Sequence, residues 1–176
     1  MTDRAAPVRA PLYTAEQRRR RDATRWTIVQ GVLAPLQFLV FAVSLALVLR
    51  FLLTGEGYGA ATASVVIKTA VLYAIMVTGA IWEKVVFGQY LLAPAFFWED
   101  VVSFGVIALH TLYLWALWAG WTPGAQMAVA LAAYAAYVVN AAQFLLKLRA
   151  ARLQGDGAAP PSASTAAAEP RVELPA

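Results

Sequence analysis

The run VVSFGVIALHTLYLWALWAGWTPGAQMAVALAAYAAYVVNAAQFLL, from Val101 to Leu146, contains no Asp, Glu, Lys or Arg. A bilayer core about 30 Å thick is crossed by about 20 apolar residues, so this run is too long for one crossing. Gly120-Trp121-Thr122-Pro123-Gly124 divides it with turn chemistry. The predicted third span is therefore about Pro94 to Ala119, and the fourth about Pro123 to Lys147. Pro94 and Pro123 suit first-turn positions, where the missing N–H costs nothing. Upstream, Trp26 to Leu49 is equally uncharged and is bracketed by Arg25 and Arg50, which gives a first span over 26–50. The second, over 60–87, is apolar except for Lys68, Glu83 and Lys84. The expected fold class is all-α, an integral membrane four-helix bundle.

Composition agrees. Hydrophobic residues make up 61% of the 176-residue chain and charged residues 14%, against about 25% charged in soluble domains. With no cysteine, disulfides, thiolate metal sites, iron–sulfur clusters and cysteine nucleophiles are excluded. A single histidine, His110, excludes HExxH-type metal sites and paired axial histidines. The net charge of +4 lies mostly in short runs at the ends, which does not suggest nucleic-acid binding.

Basic residues set the expected orientation. Arg18, Arg19, Arg20, Arg21 and Arg25 precede span one, Lys84 lies at the link between spans two and three, and Lys147, Arg149 and Arg152 close span four. Both termini are expected on the cytoplasmic side. Trp26, Trp82 and Trp98 would then mark the inner interface, and Trp115, Trp118 and Trp121 the outer one. The first apolar stretch is too long for a cleavable signal peptide and reads as an anchor. Thr14 and Gln17 form a candidate capping box for a short interfacial helix over Ala15 to Asp22. Residues 1–25 are thus a basic N-terminal segment, 26–153 the four-span domain, and 154–176, rich in Gly, Ala, Pro and Ser, a disordered tail.

Ionisable groups inside spans cost about 2.5–3.5 kcal/mol each on insertion scales and so ask for a reason. The short link makes spans two and three antiparallel neighbours, bringing Glu83, Glu99, Asp100 and Lys84 into one small volume near the cytoplasmic edge. Glu99, Ser103 and His110 share a helix face, with His110 about 16 Å deeper. Tyr73, Met76 and Glu83 share a face of span two; Tyr137, Asn140 and Lys147 share one of span four, with Gln143 nearby. Gln30, Gln37 and Ser44 recur every seven residues on span one. The simplest arrangement turns all four polar stripes inward around a cavity. Simpler structural readings stand beside this one. Acids at a helix start complement its dipole, buried amides join helices, a lone buried histidine is commonly a hydrogen-bonded core residue, and Lys68 and Arg50 snorkel to the outer interface. Pro35 simply bends span one.

Several strings go further: Leu12-Tyr-Thr-Ala-Glu-Gln-Arg-Arg-Arg-Arg-Asp22, Val29-Gln-Gly-Val-Leu-Ala-Pro-Leu-Gln-Phe38, Val77-Thr-Gly-Ala-Ile-Trp-Glu-Lys-Val-Val-Phe-Gly-Gln-Tyr90, Ala93-Pro-Ala-Phe-Phe-Trp-Glu-Asp-Val-Val102 and Leu109-His-Thr111. Together they resemble the 3-vinyl bacteriochlorophyllide hydratase family over about Leu12 to Leu153. The resemblance implies a step of bacteriochlorophyll synthesis, in which water adds to the 3-vinyl group of chlorophyllide a or a related bacteriochlorin to give a 3-(1-hydroxyethyl) group. It implies a multi-pass protein of the bacterial cytoplasmic or intracytoplasmic membrane. The partners expected are a magnesium chlorin or bacteriochlorin substrate and membrane lipid. Homo-oligomers or contacts with other pigment-synthesis enzymes are compatible with it. No cofactor and no metal of the protein's own is expected. The family supplies no catalytic residues, so roles are assigned by chemistry.

Markovnikov hydration needs a neutral acid to protonate the terminal vinyl carbon and a base to deprotonate the attacking water. Neighbouring carboxyls in low dielectric cannot both ionise cheaply, which supplies such a pair. The expected acid is Glu99 or Glu83, the water activator Asp100, with Lys84 setting the balance. Expected substrate-binding residues are His110 (through the pigment's magnesium), Ser103, Tyr73, Asn140 and Gln37, with Arg25 and Arg149 for the propionate. The rivals are a non-catalytic pigment carrier or assembly factor using the same cavity and His110, and a small four-helix exporter, which would place its acid at mid-membrane.

Overall fold

The computed structural model describes residues 12–156, which form five helices. They are α1 (Ala15–Ala23), α2 (Arg25–Thr54), α3 (Tyr58–Phe87), α4 (Phe97–Trp118) and α5 (Pro123–Asp156). The last four are long and apolar enough to cross a membrane. Expectations for a tail beyond Leu153 fall largely on residues 157–176, outside the described part; helix α5 itself runs past the expected end at Lys147.

Local chemistry explains the boundaries. The Thr14 hydroxyl accepts from the Gln17 N–H at 3.2 Å and the Gln17 side chain accepts from the Thr14 N–H at 2.9 Å, a complete capping box for α1. Helix α3 ends at Gly88, whose φ of 89° is a left-handed cap that favours glycine. Pro123 opens α5 as expected. Pro94 does not open α4. It sits at the second position of a turn closed by the Phe96 N–H on the Ala93 carbonyl at 2.7 Å, where a fixed φ is equally welcome, and α4 starts three residues later.

Helices α2 and α3 pack as one hairpin and α4 and α5 as another, and the hairpins meet along α2–α5 and α3–α4. The main core joins both through Phe41, Val65, Leu72, Val106, Tyr113, Met127, Tyr134 and Tyr137. Outward-facing residues include Ile28, Phe38, Leu53, Val77, Trp118 and Leu145, all largely exposed. That is the surface of a bundle whose solvent is hydrocarbon. Within it, Ser44 of α2 bonds Ser64 of α3 at 2.7 Å and Tyr134 of α5 at 2.5 Å, polar contacts of the kind that join apolar helices.

Helix α1 folds back under the end of the bundle that carries the α3–α4 link. Tyr13, immediately before its cap, is buried with Val86 and Phe96 in a second, smaller core bordered by Leu12, Trp82, Phe87 and Phe144. The Thr27 hydroxyl ties the corner, donating to the Arg21 carbonyl at 2.6 Å and accepting from the Trp82 indole N–H at 2.9 Å.

Candidate functional site

The acids of the α3–α4 corner converge. Glu83, Glu99 and Asp100 are buried at 5%, 7% and 3% exposure, which is rare for carboxyl groups unless each has a partner. Glu99 has one: it is ion-paired and hydrogen-bonded to the Lys147 ammonium of α5. Glu83 and Asp100 are buried at the same corner, close enough for each carboxyl to act on the other. Two carboxyls that near each other in a buried site cannot both ionise cheaply, which favours one keeping its proton. Each also holds the link backbone, Glu83 accepting from the Ala93 N–H at 3.3 Å and Asp100 from the Leu92 N–H at 2.7 Å. The corner thus contains one charge-compensated carboxylate and one carboxyl pair.

Lys84 is not part of it. The side chain is exposed, donates to the Gly88 carbonyl at 2.8 Å and lies over the Tyr90 ring at 5.3 Å. One residue after Glu83, it points about 100° away on the helix, and the freed carbonyls at the helix end attract it. The cation of the cluster is Lys147 instead, on the same face as Tyr137 and Asn140.

An aromatic layer closes the corner from the α1 side. Phe96 lies at its centre, with ring centroids 5.8 Å from Trp82, 5.8 Å from Phe87, 5.9 Å from Phe144 and 6.4 Å from Tyr13. Tyr13 stacks on Phe87 at 5.8 Å and carries the Arg21 guanidinium over its face at 4.9 Å. Burial pushes the Tyr13 phenol above its ordinary pKa, outweighing the opposing pull of Arg21. The layer packs Phe96, just before α4, against Val86 of α3 and Phe144 of α5 at the same end of the bundle as the acids. Nothing in the sequence marked Tyr13 as part of it, because it precedes the first helical period.

Deeper in the bundle, a polar column continues. The Asn140 amide donates to the Ser103 hydroxyl at 2.8 Å, and Ser103 donates to the Glu99 carbonyl at 2.8 Å. Gln37, at 2% exposure, has both amide atoms without a partner. His110 is fully buried; its Nδ1 bonds the Val106 carbonyl at 2.8 Å, while Nε2 has no partner. A carbonyl only accepts, so Nδ1 carries hydrogen and, in the neutral ring, Nε2 presents a lone pair. Lys68 is a correction. It does not snorkel outward but is fully buried, its ammonium 3.9 Å from the Tyr137 ring centroid.

Other expected residues sit at the margins. Tyr73 is half-buried and bonds the Thr111 hydroxyl at 2.7 Å across the exposed α3–α4 seam. Gln30 donates to the Thr78 hydroxyl at 2.7 Å, joining α2 to α3. The four stripes are therefore not all turned inward: Tyr73 and Gln30 join neighbouring helices. Arg25 and Arg149 are exposed at the end of the bundle that carries the carboxyls.

A family model described as 2-vinyl bacteriochlorophyllide hydratase matches residues 13–150. A protein of that name from Cereibacter sphaeroides is 74% identical over 157 residues, covering 89% of this chain and 98% of its own. One from Rhodobacter capsulatus is 70% identical over 148 residues, covering 84% of this chain and 86% of its own. No solved structure matches. The matched span includes the carboxyl corner, the aromatic layer and the buried column, and the chain belongs to the 2-vinyl bacteriochlorophyllide hydratase family.

Proposed function

We propose that this protein hydrates the ring vinyl group of chlorophyllide a or a related bacteriochlorophyllide, numbered 2 or 3 by different tetrapyrrole conventions, to a 1-hydroxyethyl group. The observation that carries the mechanism is the Glu83–Asp100 carboxyl pair, buried beneath the Phe96 aromatic layer. Glu83 delivers its proton to the terminal vinyl carbon. Positive charge then develops on the carbon attached to the macrocycle, where the ring system delocalises it and the Asp100 and Glu99 carboxylates stabilise it. Water attacks that carbon and loses a proton to Asp100. One proton leaves the pair from Glu83 and one returns to Asp100, and its transfer from Asp100 to Glu83 restores the starting state without redox chemistry. Glu99 is assigned electrostatic support rather than proton donation, because Lys147 already compensates its charge.

The magnesium belongs to the substrate. The His110 Nε2 lone pair, buried and unpartnered, suits it as an axial ligand. Gln37 and Asn140, each with a free buried amide oxygen, suit polar groups of the ring edge. The end bearing α1 is assigned to the cytoplasm, since Arg18 to Arg21, Arg25, Lys147 and Arg149 gather there while the opposite end has Arg50. The setting is the cytoplasmic or intracytoplasmic membrane of a photosynthetic bacterium.

A second reading has one observation in its favour. Both Glu83 and Asp100 accept backbone N–H groups of the link, which is also what purely structural acids would do in a pigment carrier. Incubating the purified full chain with the vinyl pigment in buffer alone separates the two. Appearance of the hydroxyethyl pigment supports the hydratase reading; pigment that binds and is recovered unchanged supports the carrier.

A further inference from the structure

Three carboxyls are buried at the α3–α4 corner, and the cation that reaches them comes from α5. Glu99 and Asp100 are consecutive on α4, so their side chains point about 100° apart. Glu99 takes the Lys147 ammonium. Asp100 takes the Leu92 N–H of the link and acts on Glu83 of α3. The start of α4 therefore divides its two acids between a cation on one side and a second carboxyl on the other.

Lys147 is held in place for this. Seven residues before it on the same face of α5, the Asn140 amide donates to the Ser103 hydroxyl of α4 at 2.8 Å. The Lys147 ammonium lies 5.1 Å from the centroid of the Phe96 ring, and its side chain is one-quarter exposed. The groups that act on Asp100 are Glu83 from α3, Glu99 from its own helix and Lys147 from α5. Arg21 of α1 is committed to Asp22 and the Tyr13 ring, and Arg25 of α2 is exposed.

Charge then decides where protons sit. Three clustered, buried carboxyls without a cation would need at least two protons, since neighbouring like charges in low dielectric do not both ionise cheaply. With Lys147 compensating Glu99, one proton suffices for the remaining pair. We propose that Lys147 is a positioning residue for that proton: by keeping Glu99 ionised, it confines the proton to the Glu83–Asp100 pair. Lys147 acts through Glu99 and does not meet the vinyl group itself. The acid thus stays beside its base, and Glu99 remains an anion when positive charge develops on the pigment. The use of the proton in hydration rests on the reading above; its location does not.

Infrared spectroscopy of the purified full chain without pigment, at neutral pH, reads protonated carboxyls through their C=O stretch. Isotopic labelling of glutamate or aspartate carboxyls separates the two residue types. Lys147→Met should gain one protonated glutamate relative to the unsubstituted protein, and adding Glu99→Gln should remove it. Lys147→Arg keeps the charge and should show no gain. Lys147→Gln keeps a hydrogen-bond donor near Glu99 without the charge; it should match Lys147→Met and serves where that variant does not fold. A contact that only braces the helices would leave the carboxyl signal unmoved. An unchanged signal in the folded neutral variants would overturn the proposal, as would loss of a protonated carboxyl in Glu99→Gln alone. With no pigment present, either result is distinct from failure of the conversion assay, which would remove the hydratase reading and leave the proton's location standing.

Discussion

Asp100 accepts the backbone N–H of Leu92 at 2.7 Å, and Leu92 is the one described non-glycine residue with positive φ, at 60°. The left-handed region costs an ordinary side chain about 1–2 kcal/mol, so the bond holds the link in a shape its sequence does not prefer. Leu92→Gly should therefore raise stability by about 1 kcal/mol with the Asp100 contact kept. Leu92→Pro cannot adopt that φ and loses the N–H, and should cost about 3 kcal/mol or more. Thermal unfolding in detergent checks both; a stabilising Leu92→Pro would refute the described link.

The pairing of Lys147 with Glu99 distinguishes it sharply from Lys84. Lys147→Met should destabilise the bundle by about 1–3 kcal/mol, less than a fully buried pair because Lys147 is one-quarter exposed. Lys84→Met, on an exposed side chain, should change stability by no more than about 0.5 kcal/mol. Unfolding midpoints of the two variants, measured together, give the comparison, and equal effects would place the cluster's cation wrongly.

The fold was legible in the sequence where the signals were local. The uncharged runs, the Gly120–Gly124 break and the Thr14–Gln17 box each act within a few residues, and the described helices follow them. The gathering of Glu83, Glu99 and Asp100 was legible as well, because a short link forces it. Partners chosen across the bundle were not. Lys68 in an apolar run reads as a snorkelling residue until the Tyr137 ring of a distant helix is placed over it. Lys84 and Lys147 are indistinguishable in sequence as partners for an acid. Only the packing of α5 against α4 selects the second.

Phe96 joins the aromatic layer to both hairpins through Trp82 and Phe144. Phe96→Ala should cost about 3–5 kcal/mol, the range for removing a buried ring. It should also admit water to the acids, seen as faster amide exchange at the start of α4. Unchanged exchange there would show that the layer does not shield the corner.

His110 gives a spectroscopic prediction. Because Nδ1 is committed to the Val106 carbonyl, Nε2 is the atom available to the pigment's magnesium. His110→Ala should bind pigment with a shifted absorption spectrum and weaker affinity. A spectrum identical to that of the unsubstituted complex would reject axial ligation.

The carboxyl pair is tested most directly by single-turnover conversion of bound vinyl pigment in the full chain and in Glu83→Gln, Asp100→Asn and the double variant. Pigment binding is measured alongside to confirm a folded site. Each single variant should bind pigment yet convert it about 10²–10⁴-fold more slowly, the usual contribution of a positioned acid or base. The double variant should be little slower than either, because the two groups pass one proton between them. Conversion at the unsubstituted rate in the double variant would contradict the account.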